Sequence, residues 1–362
     1  MVDHKETVTG RFATMRSFSI ALTAIAVCSM CVGAWAFGFV LPLFAQSEYQ
    51  ERRVPFLTLR NRTNSTDPGE FYGDERSDPK AGWCRVRELD LDVLTPLVES
   101  APVLLREELI SVDQVRQTDW PSVLGELQVA TEGASPIIFV HGYYISFEKG
   151  CRRAVLLQEN AKLNGRLLWF SWPSDGDFTS YMHDESDLYW SVPDLADTFL
   201  EMESRFGKGH VDLIGHSLGS RGVLLALYDV ASRTPDARFG DVVLLAPDID
   251  FDIFVRYLPA ITPVVESLTV YVTSADHPLA LSAQLHGYPR LGETGNDISK
   301  LDGVEFIDLS ELSTGSPTGH LYHISSKAVG EDLSQLLSDG KSADARKDLS
   351  QSGANIWKLM RQ

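Results

Sequence analysis

Basic residues are scarce in this chain. It has 32 Lys and Arg against 50 Asp and Glu, a net charge of −18 over 362 residues. A balance this acidic excludes nucleic acid as the main partner and argues against electrostatic attachment to an anionic lipid surface. Cysteine is nearly absent, with 4 residues. Cys28 and Cys31 fall within an apolar run and lack the βαβ setting of a redox C-x-x-C pair. No grouping of Cys and His has zinc-site spacing, so the expectation is no metal and no cofactor. Cys84 and Cys151 remain. In an exported chain they could pair as one disulfide, although sequence alone does not bring them together. Internal repeats and low-complexity tracts are also missing.

Charge is missing altogether from residues 17–47. Residues 1–16 form a short polar tail with Lys5, Arg11 and Arg16, and residues 17–45 are apolar enough and long enough to span a bilayer. Two readings compete. Ala34-Trp35-Ala36 fits an A-x-A signal-peptidase site. Cleavage there would leave the apolar residues 37–44 on the mature terminus, so an uncleaved signal anchor is preferred, with export after cleavage as the alternative. Basic residues flank the segment on both sides, and the positive-inside rule does not settle its orientation. The economical topology is a single pass of the cytoplasmic membrane, with the large domain on the extracytoplasmic side.

Residues 46–130 read as strands and loops joining a core: strands near 54–59 and 84–89, a loop over 61–80. From 131 to 330 the pattern becomes strand–helix alternation, the mark of a mostly parallel sheet covered by helices on both faces. Apolar strands are expected at 136–140, 167–172, 211–215, 241–246, 268–272 and, last, 304–309. Helices are expected near 148–163, 189–206 and 218–232. Residues 174–194 hold Phe178, Tyr181, Tyr189 and Trp190. They read either as a substrate lid or as aromatics packed on the sheet edge. Residues 331–362 read as surface helices.

The chemistry concentrates at the carboxyl ends of these strands, where open parallel sheets bind ligands. Gly215-His216-Ser217-Leu218-Gly219 is G-x-S-x-G between a strand and a helix, a turn that lifts a serine hydroxyl off the sheet. A serine nucleophile needs a base, and the base needs a carboxylate to fix its tautomer. Ser217, Asp276 and His320 supply these in the chain order Ser, Asp, His, each just after a strand. His323 is the alternative base; His277 and His286 read as structural or surface. Asp248 and Asp250 are alternative acids, and Asp276 before His277-Pro278 would also suit a helix N-cap. The oxyanion donors expected are the backbone N–H groups of Leu218 and Tyr143, with His141 holding the latter's loop.

The chain resembles the α/β-hydrolase superfamily. Within it, the likeness is to a bacterial group of serine-hydrolase-like proteins catalogued as a domain of unknown function. The matching pieces are Phe139-Val140-His141-Gly142-Tyr143, Phe170-Ser171-Trp172-Pro173-Ser174, Gly215-His216-Ser217-Leu218-Gly219-Ser220, Ala246-Pro247-Asp248-Ile249-Asp250 and Gly319-His320-Leu321-Tyr322, together with the polar segment Phe71-Tyr72-Gly73-Asp74-Glu75-Arg76. They span about residues 54–325. The resemblance implies the α/β-hydrolase fold and the triad, and leaves the substrate open. The expectation is a serine hydrolase, carboxylesterase- or lipase-like, acting on a small-molecule or lipid-like acyl ester. An acyltransferase or a non-catalytic binding protein on the same fold are the alternatives.

Overall fold

A computed structural model describes residues 49–89, 107, 110–299, 301–312 and 318–360. The expected tail 1–16 and anchor 17–45 lie outside them. Among the described residues no helix is long and apolar enough to cross a membrane.

In chain order the elements are β1 (Tyr49–Arg62), β2 (Tyr72–Leu89), β3 (Ile110–Thr118), α1 (Trp120–Thr131), β4 (Ile137–Val140), α2 (Phe147–Asn160), β5 (Leu167–Ser171), α3 (Tyr181–Phe206), β6 (Asp212–His216), α4 (Leu218–Arg233), β7 (Phe239–Leu245), α5 (Phe251–Ile261), β8 (Val265–Val272), α6 (His277–His286), β9 (Glu305–Asp308), α7 (Tyr322–Ser325), α8 (Lys327–Leu337), β10 (Leu349–Gln351) and β11 (Ile356–Leu359). They build one sheet in the order β10-β11-β9-β8-β7-β6-β4-β5-β1-β2-β3. The strands from β11 to β1 in that order pair in parallel. The hairpins β1–β2–β3 and β10–β11 close the two edges antiparallel.

The central strands are apolar runs because both faces are covered. Ile138, Val140, Leu168 and Phe170 point into a core shared with α1, α3, α4 and α5, including Leu127, Phe199, Leu224 and Phe254. Their neighbours Ile137, Phe139, Leu167 and Trp169 point into a second core with α2, α7 and α8, including Phe147, Leu157, Tyr322 and Leu333. The two-residue period of the strands thus divides each run between two helical layers.

Three sequence readings need correction. Residues 72–80 are strand, not loop: β2 pairs along β1 through Thr58↔Lys80, Arg60↔Arg76 and Arg62↔Tyr72, with register shifts between them. Turn-forming residues are accommodated at those irregularities, where pairing overrides weak local propensity. Residues 331–362 are not surface helices. One face of α8 is buried through Val329, Leu333, Leu336 and Leu337, and β11 then adds to the sheet through Ile356↔Phe306 and Lys358↔Asp308. A four-residue strand is too short to show a period. Finally, α3 begins at Tyr181, ahead of the expected 189, because its first turns bury the polar residues Asp184 and Asp187 and so carry no apolar stripe.

Cys84 on β2 and Cys151 on α2 are joined as a disulfide, with a Cα–Cα distance of 6.7 Å across a sequence separation of 67. It ties the edge hairpin to the helix that covers it. Closing a loop of that length restricts the unfolded chain by up to about 4 kcal/mol. Reduction, or paired Cys→Ser replacement, is therefore expected to lower the denaturation midpoint markedly; an unchanged midpoint in reductant would contradict this.

Candidate active site

Parallel strands place all their carboxyl ends on one side of the sheet, and the candidate residues gather there. Ser217 follows β6 at φ 54 and ψ −121, a backbone conformation that L side chains rarely adopt. Strain of this kind persists only where the surroundings over-determine it. Here the Ser217 N–H donates to Leu245 O at 2.9 Å, and its carbonyl accepts from Ser220 at 3.0 Å and Asp248 at 3.2 Å. The flanking glycines allow the turn. A Cβ at Gly215 would lie 2.5 Å from Ser220 Cα, and one at Gly219 would lie 2.3 Å from the carbonyl oxygens of both Val140 and His141.

Asp276 follows β8, and its side chain has no exposed surface. It does two things at once. Oδ1 accepts from the Leu279 N–H at 3.0 Å as the N-cap of α6, and Oδ2 lies 2.7 Å from His320 Nδ1. A carboxylate can only accept, so the proton sits on Nδ1 and leaves Nε2 with its lone pair. The structure therefore brings Asp276 and His320 together. Ser217 Oγ makes no hydrogen bond to another described residue. The residue before it, His216, packs its ring 4.7 Å from that of His320, centroid to centroid. Nucleophile–base contacts are commonly long before substrate binds.

The rival residues have other partners. The Asp248 carboxylate is enclosed by Arg221 (3.4 Å), Arg290 (3.3 Å), Ser282 (2.7 Å) and the Tyr181 hydroxyl. Burial alone would raise its pKa, but Arg221, the hydroxyls of Tyr181 and Ser282 and then Arg290 leave it below the usual carboxylate range. It is the hub of a structural network and pairs with no histidine among the described residues. Asp250 caps α5 by accepting from Asp252 and Ile253. His323 is buried against the His216 ring, 4.1 Å between centroids, and its Nδ1 has no hydrogen-bond partner among the described residues. Burial, Arg153 and His320 push its pKa well below the ordinary value, and no carboxylate among the described residues holds it. His277 Nα donates to Thr318 O at 3.1 Å, and His286 contacts Ser282 and Glu185.

The loop after β4 carries the second expected oxyanion donor. A Cβ at Gly142 would lie 3.0 Å from Ser217 Cβ, so this loop touches the serine. Its main chain is tied on every side of Tyr143. The Tyr144 N–H donates to Asp184 Oδ2 at 3.0 Å and the Ile145 N–H to Ser174 Oγ at 3.0 Å. Ile145 O accepts from Arg60 Nη2 at 2.6 Å, and His141 O from Trp172 Nε1 at 2.8 Å. Neither the Tyr143 nor the Leu218 N–H bonds a main-chain carbonyl among the described residues; Leu218 is the first residue of α4, where such donors are left over. His141 stacks on Trp172 at 4.9 Å and bonds Gly142 O at 2.7 Å, and burial followed by the nearby Arg60 charge lowers its pKa to about 3.

Asp184 and Arg60 were not legible as site residues. Arg60 reaches in from β1 and also holds Ser171 Oγ at 3.0 Å and Ser174 O at 2.8 Å. Nothing local marks an arginine on an edge-forming strand as a clamp on a loop 85 residues away. The lid reading of residues 174–194 is reduced to the loop before Tyr181. Phe178 there is 60% exposed and packs on Tyr143 and Tyr144, while Tyr181 packs on Tyr143 at 5.2 Å.

Solved structures with a similar fold include a presumptive cell surface hydrolase from Lactobacillus plantarum, at 15% identity, 58% of this chain and 94% of that one, TM-score 0.38. Lipase B of Aspergillus fumigatus matches at 13% identity over 58% of this chain and 54% of its own, TM-score 0.37. An esterase of Pyrobaculum calidifontis matches at 12% identity over 89% and 96%, TM-score 0.33. No curated protein matches the sequence. The model of one family, described as alpha/beta hydrolase of unknown function (DUF900), matches residues 124–339, which cover the sheet from β4 to β9 and every residue of the site except the Arg60 clamp. The chain belongs to that alpha/beta-hydrolase family.

Proposed function

We propose that this protein is a serine hydrolase that cleaves an acyl ester of a small or lipid-like substrate through Ser217, His320 and Asp276. The observation that carries the reading is the Asp276–His320 pair at 2.7 Å beyond the strand ends, the same end of the sheet at which Ser217 stands in its strained turn. His320 Nε2 takes the Ser217 proton as Oγ attacks the acyl carbonyl. The resulting oxyanion is met by the N–H groups of Leu218 and Tyr143. His320 then returns the proton to the leaving alkoxide, giving an alcohol and an acyl-enzyme. Water, deprotonated by the same nitrogen, releases the acid and regenerates Ser217. Asp276 stays ionised throughout and stabilises the imidazolium. Each oxyanion donor is worth about 3 kcal/mol of barrier.

The same reading places the enzyme on the cytoplasmic membrane through residues 17–45, with its catalytic unit outside. The Cys84–Cys151 disulfide supports this, since such bonds persist in oxidising compartments.

A fluorophosphonate probe is expected to label the wild type at Ser217 and to leave Ser217→Ala unlabelled. A folded wild type that resists the probe at every pH would overturn the proposal. A panel of p-nitrophenyl esters of graded chain length would then define the acyl group.

A further inference from the structure

His216 takes no part in the chemistry above, yet it precedes Ser217 in the chain and touches His320 through both ring and hydrogen bond. It ends β6, held between β4 through Val140↔Gly215 and β7 through His216↔Leu245. It is 4% exposed. Its Nε2 lies 3.1 Å from the backbone carbonyl of His320. A carbonyl can only accept, so Nε2 carries the proton and the ring is the donor. The ring also packs between those of His320 at 4.7 Å and His323 at 4.1 Å.

The base loop reaches this point from the α6 side. Thr318 O accepts from His277 Nα, and Gly319 turns at φ 71 where an added Cβ would lie 2.0 Å from Ala275 O. Those contacts fix the loop relative to Asp276. The His216 bond ties the main chain of His320 to β6, the strand that runs into Ser217. We infer that His216 is a positioning residue that sets the separation between Ser217 Oγ and His320 Nε2, acting through the His320 carbonyl. The inference rests on the hydrolase reading for its rate consequences, but its geometric content stands apart from it.

Two substitutions separate a hydrogen-bonding role from a packing role. His216→Phe keeps the ring and loses the donor. His216→Gln loses the ring and keeps an N–H near the Nε2 position. A misplacement of about 1 Å in such a constellation costs up to about 10²-fold in rate. His216→Phe is therefore expected to lower kcat about 30-fold with KM within about 2-fold and the thermal midpoint unchanged, and His216→Gln to recover most of kcat. A packing role gives the reverse order, with Phe tolerated and Gln damaging in proportion to lost stability, and that order overturns the inference. Equal kcat in all three proteins overturns it as well. A second readout needs no turnover. The Nδ1 proton shared by His320 and Asp276 should give a far-downfield proton resonance that is kept in all three proteins, because the contacts of Thr318 and Gly319 hold the loop to Asp276; its loss in His216→Phe would mean that the substitution disrupts the pair itself and would overturn the inference. Failure of the hydrolase reading shows separately, as a wild type that the fluorophosphonate probe does not label.

Discussion

Asp276→Asn is expected to lower kcat by about 10⁴-fold with little change in stability, the effect of presenting a triad histidine with an amide. Two functions meet on this side chain, and the substitution separates them. As N-cap of α6 it accepts from the Leu279 N–H at 3.0 Å, and asparagine caps as well as aspartate, so the helix start survives. As partner of His320 Nδ1 at 2.7 Å it fixes the tautomer and offsets the imidazolium charge. An amide nitrogen placed toward Nδ1 favours the wrong tautomer and carries no charge. Asp248→Asn should behave in the opposite way. It loosens Arg221, Arg290, Tyr181 and Ser282 and lowers stability, because buried Arg290 loses its counter-charge and Arg221 is left with Glu185, while the protein that remains folded keeps its turnover number. Urea denaturation and steady-state kinetics on both variants check this. If Asp248→Asn lost the activity and Asp276→Asn kept it, the acid would have been misassigned.

Acidification is expected to destabilise the protein, by about 2 kcal/mol from pH 7.5 to 5.5. Three histidines are buried in neutral form. His141 is lowered to about 3 by burial and then Arg60, and His216 and His323 lie well below 6.5, again by burial first and then by neighbouring histidines and Arg153. Because these folded-state values are depressed, the unfolded chain takes up three protons below pH 6.5 that the folded chain refuses. Their stabilisation is complete above 6.5 and is lost as pH falls. Asp212 acts with the opposite sign. Burial raises it to about 7, so the folded form holds a proton that the unfolded chain lacks between about 4 and 7, and this offsets roughly one histidine. Asp184, Asp187, Asp194 and Asp332 are raised too, burial first in each case, and temper the loss at the acid end. Against a total stability of about 5–15 kcal/mol the net term is a sizeable fraction. Asp212→Asn removes the main compensation and should deepen the loss to about 4 kcal/mol by pH 5.5. Stability that stayed flat in that variant between pH 7.5 and 5.5 would show that the histidines are not buried neutral.

Ser217, Asp276 and His320 stood out as candidates because each lies beyond the end of an apolar strand, Ser217 directly, Asp276 within a few residues and His320 in the longer loop after β9, and strand ends of a parallel sheet converge. Asp248 competed on the same grounds, since it too follows a strand. Only the positions of Arg221 and Arg290, which arrive from α4 and from the segment after α6, tie it into a network of its own. The α3 start and the strand character of residues 72–80 were hidden for a related reason: their buried or paired faces are polar, and apolar periodicity is silent there.

By itself, the sequence determined the hydrolase fold class and the order Ser, Asp, His, because continuous apolar strands, glycines around a serine and polar residues at strand ends are local patterns that a chain can display along its length. The rest was decided by tertiary structure. The Arg60 clamp on the Tyr143 loop, the disulfide between β2 and α2, the dual use of Asp276 and the bond from His216 to the His320 carbonyl all join residues far apart in the chain. Their partners are chosen by packing distance, which no single stretch of sequence records.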